Sequence, residues 1–483
     1  MDKLLHIIKQ YIPAKLFKAM QPAYHFLLSL IASAWYGWPS NKLIVIGITG
    51  TTGKTTSLYL IAKMLASAGY KAGFTSTAMF SDGQSQWLND KKMTMAGRFF
   101  TQKMLKQMVK SNCQYAIIET TSQGIEQFRH KFINYDILIF TGLYPEHIEA
   151  HGSFENYKQA KGKLFAHLKN CKTKYANDKK MIVKADSGLK KIEANRIKKI
   201  IIANADDKYV RYFLDFWAEE KMVYANKNGF KANLANDKIR YVKYEDVKLG
   251  KADVSFKAEG TEIKLNLLGE YNAANAMNAV CLGLTQGLKL EKIKVGLEKI
   301  KGVSGRMELI TSPQPPARHR SGGPPSQAEG VGFTVIVDYA FEPEALKKIY
   351  STILKLKHNK IIQVLGSAGG GRDVARRPKL GALAGQNADI VIVTNEDPYD
   401  DDPKIIIDQV AAGAEDAGKV IARDLFKIED RREAIKKALS SAQAGDIVLI
   451  TGKGCEQAIC VANGEKIKWD DREVAREELK KLK

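Results

Sequence analysis

Cysteine is scarce in this chain and carries no pattern. The 483 residues hold five, Cys113, Cys171, Cys281, Cys455 and Cys460, an odd number with no C-x-x-C spacing. That argues against a disulfide framework or a thiolate zinc site, and it fits a reducing compartment. Long apolar runs are also missing. The nearly all-apolar stretch Phe26 to Trp38, FLLSLIASAWYGW, falls short of the roughly 20 residues that a membrane-spanning helix needs. Acid is in deficit, with 53 Asp+Glu against 75 Lys+Arg and a net charge of +22. No basic motif is interleaved with aromatics, and the lysines are spread, densest from Lys158 to Lys208. We read them as solvated faces that help attract anionic substrates, with no nucleic-acid partner. A G-x-G-x-x-G dinucleotide fingerprint is absent too.

What is present begins with length. A chain of 483 residues, 45% apolar and 27% charged, is too long for one core and has ordinary globular composition, so two or three domains are expected. The rest is organised around Lys42 to Thr56, KLIVIGITGTTGKTT. Leu43 to Ile48 is a β-branched run that reads as a buried strand, and Ser57 to Ala68 reads as a helix. Between them Gly50, Thr51, Thr52, Gly53, Lys54, Thr55 and Thr56 have the layout of a phosphate cradle. Turn N–H groups and a helix N-terminus face an anion, Lys54 reaches the outer phosphates and Thr55 offers a hydroxyl to Mg²⁺. Ile48 stands where the general pattern has glycine, so the loop is a variant. The bland alternative is an ordinary strand-to-helix turn.

Residues 1–40 leave three readings open. Leu4, Leu5, Ile8, Ile12, Leu16 and Met20 recur at helical spacing among Lys3, Lys9, Lys15 and Lys18, and Pro13 interrupts the pattern. Helices packed on the next domain, a helix lying on a membrane surface, and an export signal ending near Ala32-Ser33-Ala34 all fit.

From Leu43 to about Gly302 strand and helix patterns alternate, which predicts an α/β domain with a largely parallel sheet. Tyr115 to Glu119 is a strand ending in Glu119-Thr120-Thr121-Ser122, an acid and hydroxyls at a strand's carboxyl end, where such folds bind ligands. Ile137 to Phe140 leads into Glu146-His147, and a helix follows with Tyr157, Ala160 and Lys161. Ile200 to Asp207 reads as a strand with two carboxylates at its end, and Asn272 and Asn275 share a helix face. Beyond Ser304, strands at Val335–Asp338, Ile361–Leu365, Ile390–Val393 and Ile447–Ile450 each end in a polar, glycine-rich segment. They predict a second α/β domain of Rossmann type. Residues 310–332, rich in Pro, Gly and Ser, read as a flexible insertion in a hairpin.

These motifs, taken in order, resemble the Mur ligases, and most closely the UDP-N-acetylmuramoyl-tripeptide synthetases. GITGTTGKTT, ETTSQGI from Glu119, EHIEAHGSFENYKQAKGKLF from Glu146, NAANAMNAV from Asn272, SGRME from Ser304, DYAFEP from Asp338, the Gly366–Asp373 loop and GKGCE from Gly452 run from Gly47 to about Glu456. The resemblance implies a P-loop ATPase-type central domain (42–302), a Rossmann-like C-terminal domain (303–483) and a short helical N-terminal segment (1–41). It implies a cytoplasmic ATP-dependent amide ligase of peptidoglycan precursor synthesis, in which a carboxylate attacks ATP to give an acyl phosphate that an amine then displaces. Lys54, Glu119, His147 and Lys161 are then the catalytic set. Thr55, Glu119, His147 and Lys161, carbamylated by CO₂, hold two Mg²⁺ ions. Asn275, Arg306 and Asp338 hold the nucleotide beside the cradle. Thr121, Ser122, Arg372, Asp397 and Glu456 contact the muramoyl-peptide acceptor or the amino acid. For Lys161 the bland alternative is a surface helix lysine.

The chain also departs from the family. About 40 residues precede the ATP loop where a UDP-sugar-binding domain is usual, so the acceptor is expected to be gripped differently, and a lipid-linked one suits the apolar N-terminus. Gln123, Phe341 and Cys455 stand where histidine is usual, and Glu396-Asp-Pro-Tyr399 replaces Asp-Asn-Pro-Arg. Tyr399 cannot pair bidentately with a distal carboxylate as arginine does, which leaves lysine, ornithine or another amine open. Two further readings stay on the table: a ligase for another carboxylate, lipid-linked or poly-amino acid, and a nucleotide-binding protein without catalysis.

Overall fold

The strand Ile44–Thr49 shows why the chain folds as it does. Ile44, Ile46 and Ile48 belong to the core on one face of its sheet, with Leu58, Ile61, Met277 and Val280. Val45 joins the core on the other face, with Leu138, Phe140, Phe165 and Phe213. Successive side chains of a strand point to opposite faces, so a strand covered on both must be apolar throughout. Gly47 is the exception. A Cβ there would lie 2.8 Å from Leu138 and from the Tyr135 ring.

The computed structural model describes residues 14–146, 148–177, 180–183, 196–226, 239–310, 332–371 and 374–482. Among them the larger sheet has eleven strands, in the order Thr261–Leu265, Val254–Ala258, Ile239–Leu249, Glu220–Asn226, Ile200–Asn204, Ile137–Phe140, Ile44–Thr49, Tyr115–Glu119, Ala72–Thr75, Met79–Ser81, Gln86–Leu88. The strands from Ile239–Leu249 to Ala72–Thr75 are parallel, and antiparallel strands extend both edges. The second sheet has six strands, in the order Glu308–Ile310, Thr334–Asp338, Ile447–Thr451, Ile361–Leu365, Ile390–Thr394, Leu425–Ile428, with only the first antiparallel. Its two faces carry separate apolar cores.

The expected strands appear within a residue or so. The loop helix starts at Lys54, three residues earlier than its apolar pattern indicates, which places Lys54 and Thr55 in its first turn. The strand beginning at Ile200 stops at Asn204. The two acids after it brace loops: Asp207 accepts the Leu143 N–H at 2.7 Å and Asp206 accepts the Tyr244 hydroxyl at 2.9 Å. The expected insertion falls at residues 311–331, outside the described residues.

Of the three readings of residues 1–40, the described part shows a helix packed on the next domain. Ala14–Trp35 is one helix with Pro22 inside it. The Ser29 and Ser33 hydroxyls donate to the Phe128 and Phe132 carbonyls at 2.9 and 3.2 Å, and the Phe26 and Phe132 rings meet edge-on. No helix among the described residues is long and apolar enough to cross a membrane.

Candidate active site between the two sheets

Parallel sheets bind ligands beyond the carboxyl ends of their strands. Here both sheets contribute to one cavity of about 710 Å³, lined by Lys54, Thr55 and Glu119 from the first domain and by Asp338, Asp397 and Glu456 from the second.

The first-domain side is built by register. Glu119 pairs with Ile48 across neighbouring strands, so its carboxylate emerges beside the glycine loop. It is buried and accepts three hydrogen bonds, from the Thr55 hydroxyl at 2.9 Å, the Thr77 N–H at 2.9 Å and the Thr77 hydroxyl at 2.8 Å. A hydroxyl and a carboxylate held together make a fitting oxygen pair for Mg²⁺, which typically takes one or two carboxylates and completes its shell with phosphates and water. Among the described residues no group of three or more His, Cys, Asp or Glu forms a metal cage.

Two ammonium groups converge on the loop. Lys54 Nζ donates to the Gly50 and Thr51 carbonyls at 3.1 and 2.7 Å. Lys161 Nζ, on the buried face of the helix Phe154–Leu168, donates to the same Gly50 carbonyl at 2.9 Å and lies 4.6 Å from the centre of the Tyr157 ring. Lys161 is therefore not a surface lysine. Burial and then the Lys54 charge hold its ammonium well below the ordinary lysine range. Burial also lowers Lys54, while Glu119 and Glu342 oppose that shift. Glu342 is buried beside them within hydrogen-bond reach of the Tyr144 hydroxyl at 3.3 Å, and its carboxyl is raised by burial and held down by Lys54 and Arg376.

The nucleotide candidates sit where the domains meet. Gly53 has φ +81°, and a Cβ there would lie 2.4 Å from the Asn275 side-chain oxygen, so glycine is required for Asn275 to approach the loop. Arg306 crosses the cleft to the Thr55 hydroxyl at 3.3 Å and stacks 4.6 Å over the Tyr339 ring. Asp338 braces that segment, accepting from the Met307 and Ala340 N–H groups at 2.6 and 2.7 Å. Lys348 reaches the Thr52 hydroxyl at 3.4 Å.

On the second-domain side Asp397 and Glu456 face each other across lysines. Lys453 Nζ lies 2.8 Å from Asp397 and 2.6 Å from Glu456. Lys92, from the first domain, lies 2.8 Å from Asp397 and 2.7 Å from Glu456. Ser122 is 3.0 Å from His151 Nε2, and the Thr121 hydroxyl caps the short helix after Glu119 by accepting from the Gly124 N–H. Tyr399 has φ +53° and its ring lies against Gly370, where a Cβ would approach within 3.0 Å. The expectations for His147 and Arg372 lie outside the described residues.

Sequence reasoning missed Lys92, Lys453, Thr77 and Glu342. Lys453 and Glu342 lie inside motifs quoted above without a role. Lys92 and Thr77 lie in separate segments with no pattern, and only the fold brings them to the cavity.

Residues 48–199 and 189–283 match the Mur ligase middle domain, and residues 326–454 match the Mur ligase, glutamate ligase domain. The UDP-N-acetylmuramyl-tripeptide synthetase of Roseiflexus sp. (strain RS-1) is 34% identical over 461 residues, which is 94% of this chain and 82% of that protein. The UDP-N-acetylmuramoyl-L-alanyl-D-glutamate--2,6-diaminopimelate ligase of Clostridium tetani (strain Massachusetts / E88) is 31% identical over 463 residues, 94% of this chain and 81% of its own length. A solved UDP-N-acetylmuramoyl-L-alanyl-D-glutamate--2,6-diaminopimelate ligase superposes with a TM-score of 0.53 at 25% identity, covering 91% of this chain and 79% of that one. The Mycobacterium tuberculosis folylpolyglutamate synthase shares the fold, with a TM-score of 0.60 at 14% identity over 89% of this chain and 93% of its own. With a loop, a carboxylate and two lysines gathered at a cleft between two α/β domains, and with that similarity along nearly its whole length, the chain belongs to the Mur ligase family.

Proposed function

We propose that this protein is an ATP-dependent amide-bond-forming ligase of peptidoglycan precursor synthesis, which adds an amino acid to the carboxylate of a muramoyl-L-Ala-D-Glu acceptor. The observation that carries this reading is the convergence of Lys54, Lys161, Thr55 and Glu119 on one glycine loop at the mouth of a cavity lined by both domains.

The acceptor carboxylate attacks the γ-phosphate of ATP, giving an acyl phosphate and ADP, and an amine then displaces phosphate to form the amide. Two anions repel in the first step. Lys54 and the loop N–H groups offset that repulsion and align the phosphates. Thr55 and Glu119 would hold Mg²⁺, with His147 proposed as a further ligand, and the ion would supply Lewis-acid neutralisation of phosphate charge. Arg306, reaching across to Thr55, couples closure of the second domain to nucleotide contact and keeps water from the acyl phosphate.

Lys161 takes the carbamate role in this reading. The ammonium first gives up a proton, the neutral amine attacks the carbon of CO₂, a second proton leaves to solvent, and the cation has become an anionic carbamate. The lowered ammonium supports this, because only the neutral amine attacks. The modification also replaces repulsion from Lys54 by attraction. Carbon-13 NMR with labelled bicarbonate tests it: a carbamate signal present in the wild type and lost in Lys161→Arg is expected, and no signal in either sinks the assignment.

A peripheral membrane contact follows from the N-terminal helix. Met20, Tyr24, Leu27, Ile31 and Trp35 are all exposed, and their spacing makes one stripe opposite the packed serines, with Trp35 77% exposed. No Asp or Glu occurs from Lys3 to Ser81. An apolar stripe ending in tryptophan, on a stretch of sequence whose only charges are basic, fits an anionic bilayer surface. Co-sedimentation with anionic vesicles, lost in Leu27→Glu/Ile31→Glu, is expected, and equal recovery of both proteins in the supernatant refutes it.

The ligase itself is tested by ADP release and product mass. Release that requires both a muramoyl-dipeptide acceptor and an amino acid is expected. Release that needs neither, or none with any acceptor, overturns the proposal.

A further inference from the structure

The Asp397–Glu456 pocket already contains a primary ammonium from the other domain. Lys92 Nζ lies 2.8 and 3.1 Å from the two Asp397 oxygens, 2.7 Å from Glu456 and 2.8 Å from the Ala458 carbonyl. Its side chain is 7% exposed although it lines the cavity. Against the desolvation that burial imposes, Glu456 and Asp397 raise its ammonium above the ordinary lysine range.

Asp397 and Glu456 each pair with the same two ammonium groups, Lys92 and Lys453, and Glu396, buried beside them, has its carboxyl raised by burial and by the Asp397 charge. An amine that pairs with Asp397 and Glu456 has to take a position that one of these ammonium groups already holds. One of the two lysines must therefore leave when an amine substrate binds there. Lys453 is fully buried and sits three residues from Glu456 on the same segment, so it moves with the pocket. Lys92 comes from the first domain, more than 300 residues from Asp397 and Glu456, and does not share their segment.

The loop that carries Lys92 is built to hold it. The Asn89 side chain donates to the Ser76 and Met93 carbonyls at 2.8 and 3.0 Å, bracketing it. Lys92 has φ +55°, a left-handed backbone uncommon for a lysine. Two residues on, the Thr94 hydroxyl meets the Thr77 hydroxyl at 2.8 Å, and Thr77 donates to Glu119 at 2.8 Å. The same short loop thus touches both the phosphate end and the amino-acid end of the cavity.

We propose that Lys92 is a resident stand-in for an ammonium group of the incoming amino acid: it latches the two domains together while the pocket holds no substrate, and it must be displaced from Asp397 and Glu456 for the amine to bind. This rests on the ligase reading for the identity of the ligand, and on the interdomain ion pairs for the latch itself. Lys92 is then a specificity-determining residue, because it sets the affinity that any ammonium must exceed.

The test is calorimetric binding of L-lysine and L-norleucine to the full chain with ADP and Mg²⁺, in the wild type, Lys92→Met and Lys92→Arg. Lys92→Met, which keeps length and loses charge, should bind L-lysine on the order of tenfold more tightly, about 1.4 kcal/mol. Lys92→Arg, which keeps the competing cation, should stay near the wild type. A gain for L-lysine alone identifies the distal ammonium as the displacing group, and a gain for both ligands identifies the α-ammonium. Affinity unchanged or weakened in Lys92→Met overturns the latch. Should that variant not fold, reductive methylation of the wild type decides: L-lysine should increase labelling of Lys92, and unchanged labelling overturns the proposal. Neither measurement needs turnover, so a protein without ligase activity could still show the latch, and a working ligase could lack it.

Discussion

Two pairs of lysines line the cavity, and their partners differ. Lys54 and Lys161 share a neutral carbonyl, that of Gly50, and both are pushed down by burial. Lys92 and Lys453 share two carboxylates, and Lys92 is raised. The first pair donates to a backbone oxygen, with the Glu119 and Glu342 charges acting on both lysines. The second already fills both carboxylates, and a cation that pairs with them takes a lysine's place. The same side chain is poised at one place and locked at the other: Lys54 and Lys161 contact backbone carbonyls, whereas Lys92 and Lys453 contact carboxylate oxygens.

The locked pair breaks most expensively. Asp397→Ala removes one of two carboxylates from two buried ammonium groups, together with the acceptor of the Cys460 N–H at 2.7 Å. Loss of one partner of a buried ion pair costs roughly 3–5 kcal/mol, which urea unfolding should show. At the poised pair, Lys54→Met should leave the fold intact and reduce kcat by about 10²–10³-fold, read as ADP release, because a preorganised charge on the transferred phosphoryl group is lost.

A third group of buried lysines sharpens the contrast. Lys174 and Lys199 share a single carboxylate, Asp136, at 2.5 and 2.8 Å. Burial, partly offset by Asp136, lowers Lys174 from the ordinary lysine value of 10.5 to about 8. The unfolded chain therefore binds more protons between these values, so this group's contribution to stability rises with pH across that window. The slope should be at most about 1.4 kcal/mol per pH unit. Lys174→Met should flatten it in thermal melts between those pH values. Smallest of all, Ser29→Ala should cost about 0.5–1.5 kcal/mol by loss of one hydroxyl bond to the Phe128 carbonyl, measured as a lower denaturation midpoint.

Much of the cavity is legible in the sequence because its residues sit at strand ends. The run Ile44–Thr49 is apolar on both faces, the glycines after it break the pattern, and Lys54 and Thr55 follow directly. Glu119 is legible for the same reason, as an acid closing a buried strand. Lys161 is legible through its motif, although its burial is not: a lysine among Tyr157, Ala160 and Leu164 reads equally well as solvated until the helix is seen to face the loop. Lys92 was not legible at all. Its neighbours Asp90, Lys91, Met93 and Thr94 show no periodicity, and its partners lie more than 300 residues away.

By itself the sequence determined the order of strands and helices, the phosphate loop and the two α/β units, because alternation of apolar residues and glycine punctuation are local properties of a chain. Tertiary structure alone decided which charges meet. Whether a lysine is poised or locked depends on which carboxylates lie within about 4 Å, where electrostatic attraction is strong. For Lys92 those carboxylates arrive from the other domain, through contacts that no local pattern encodes.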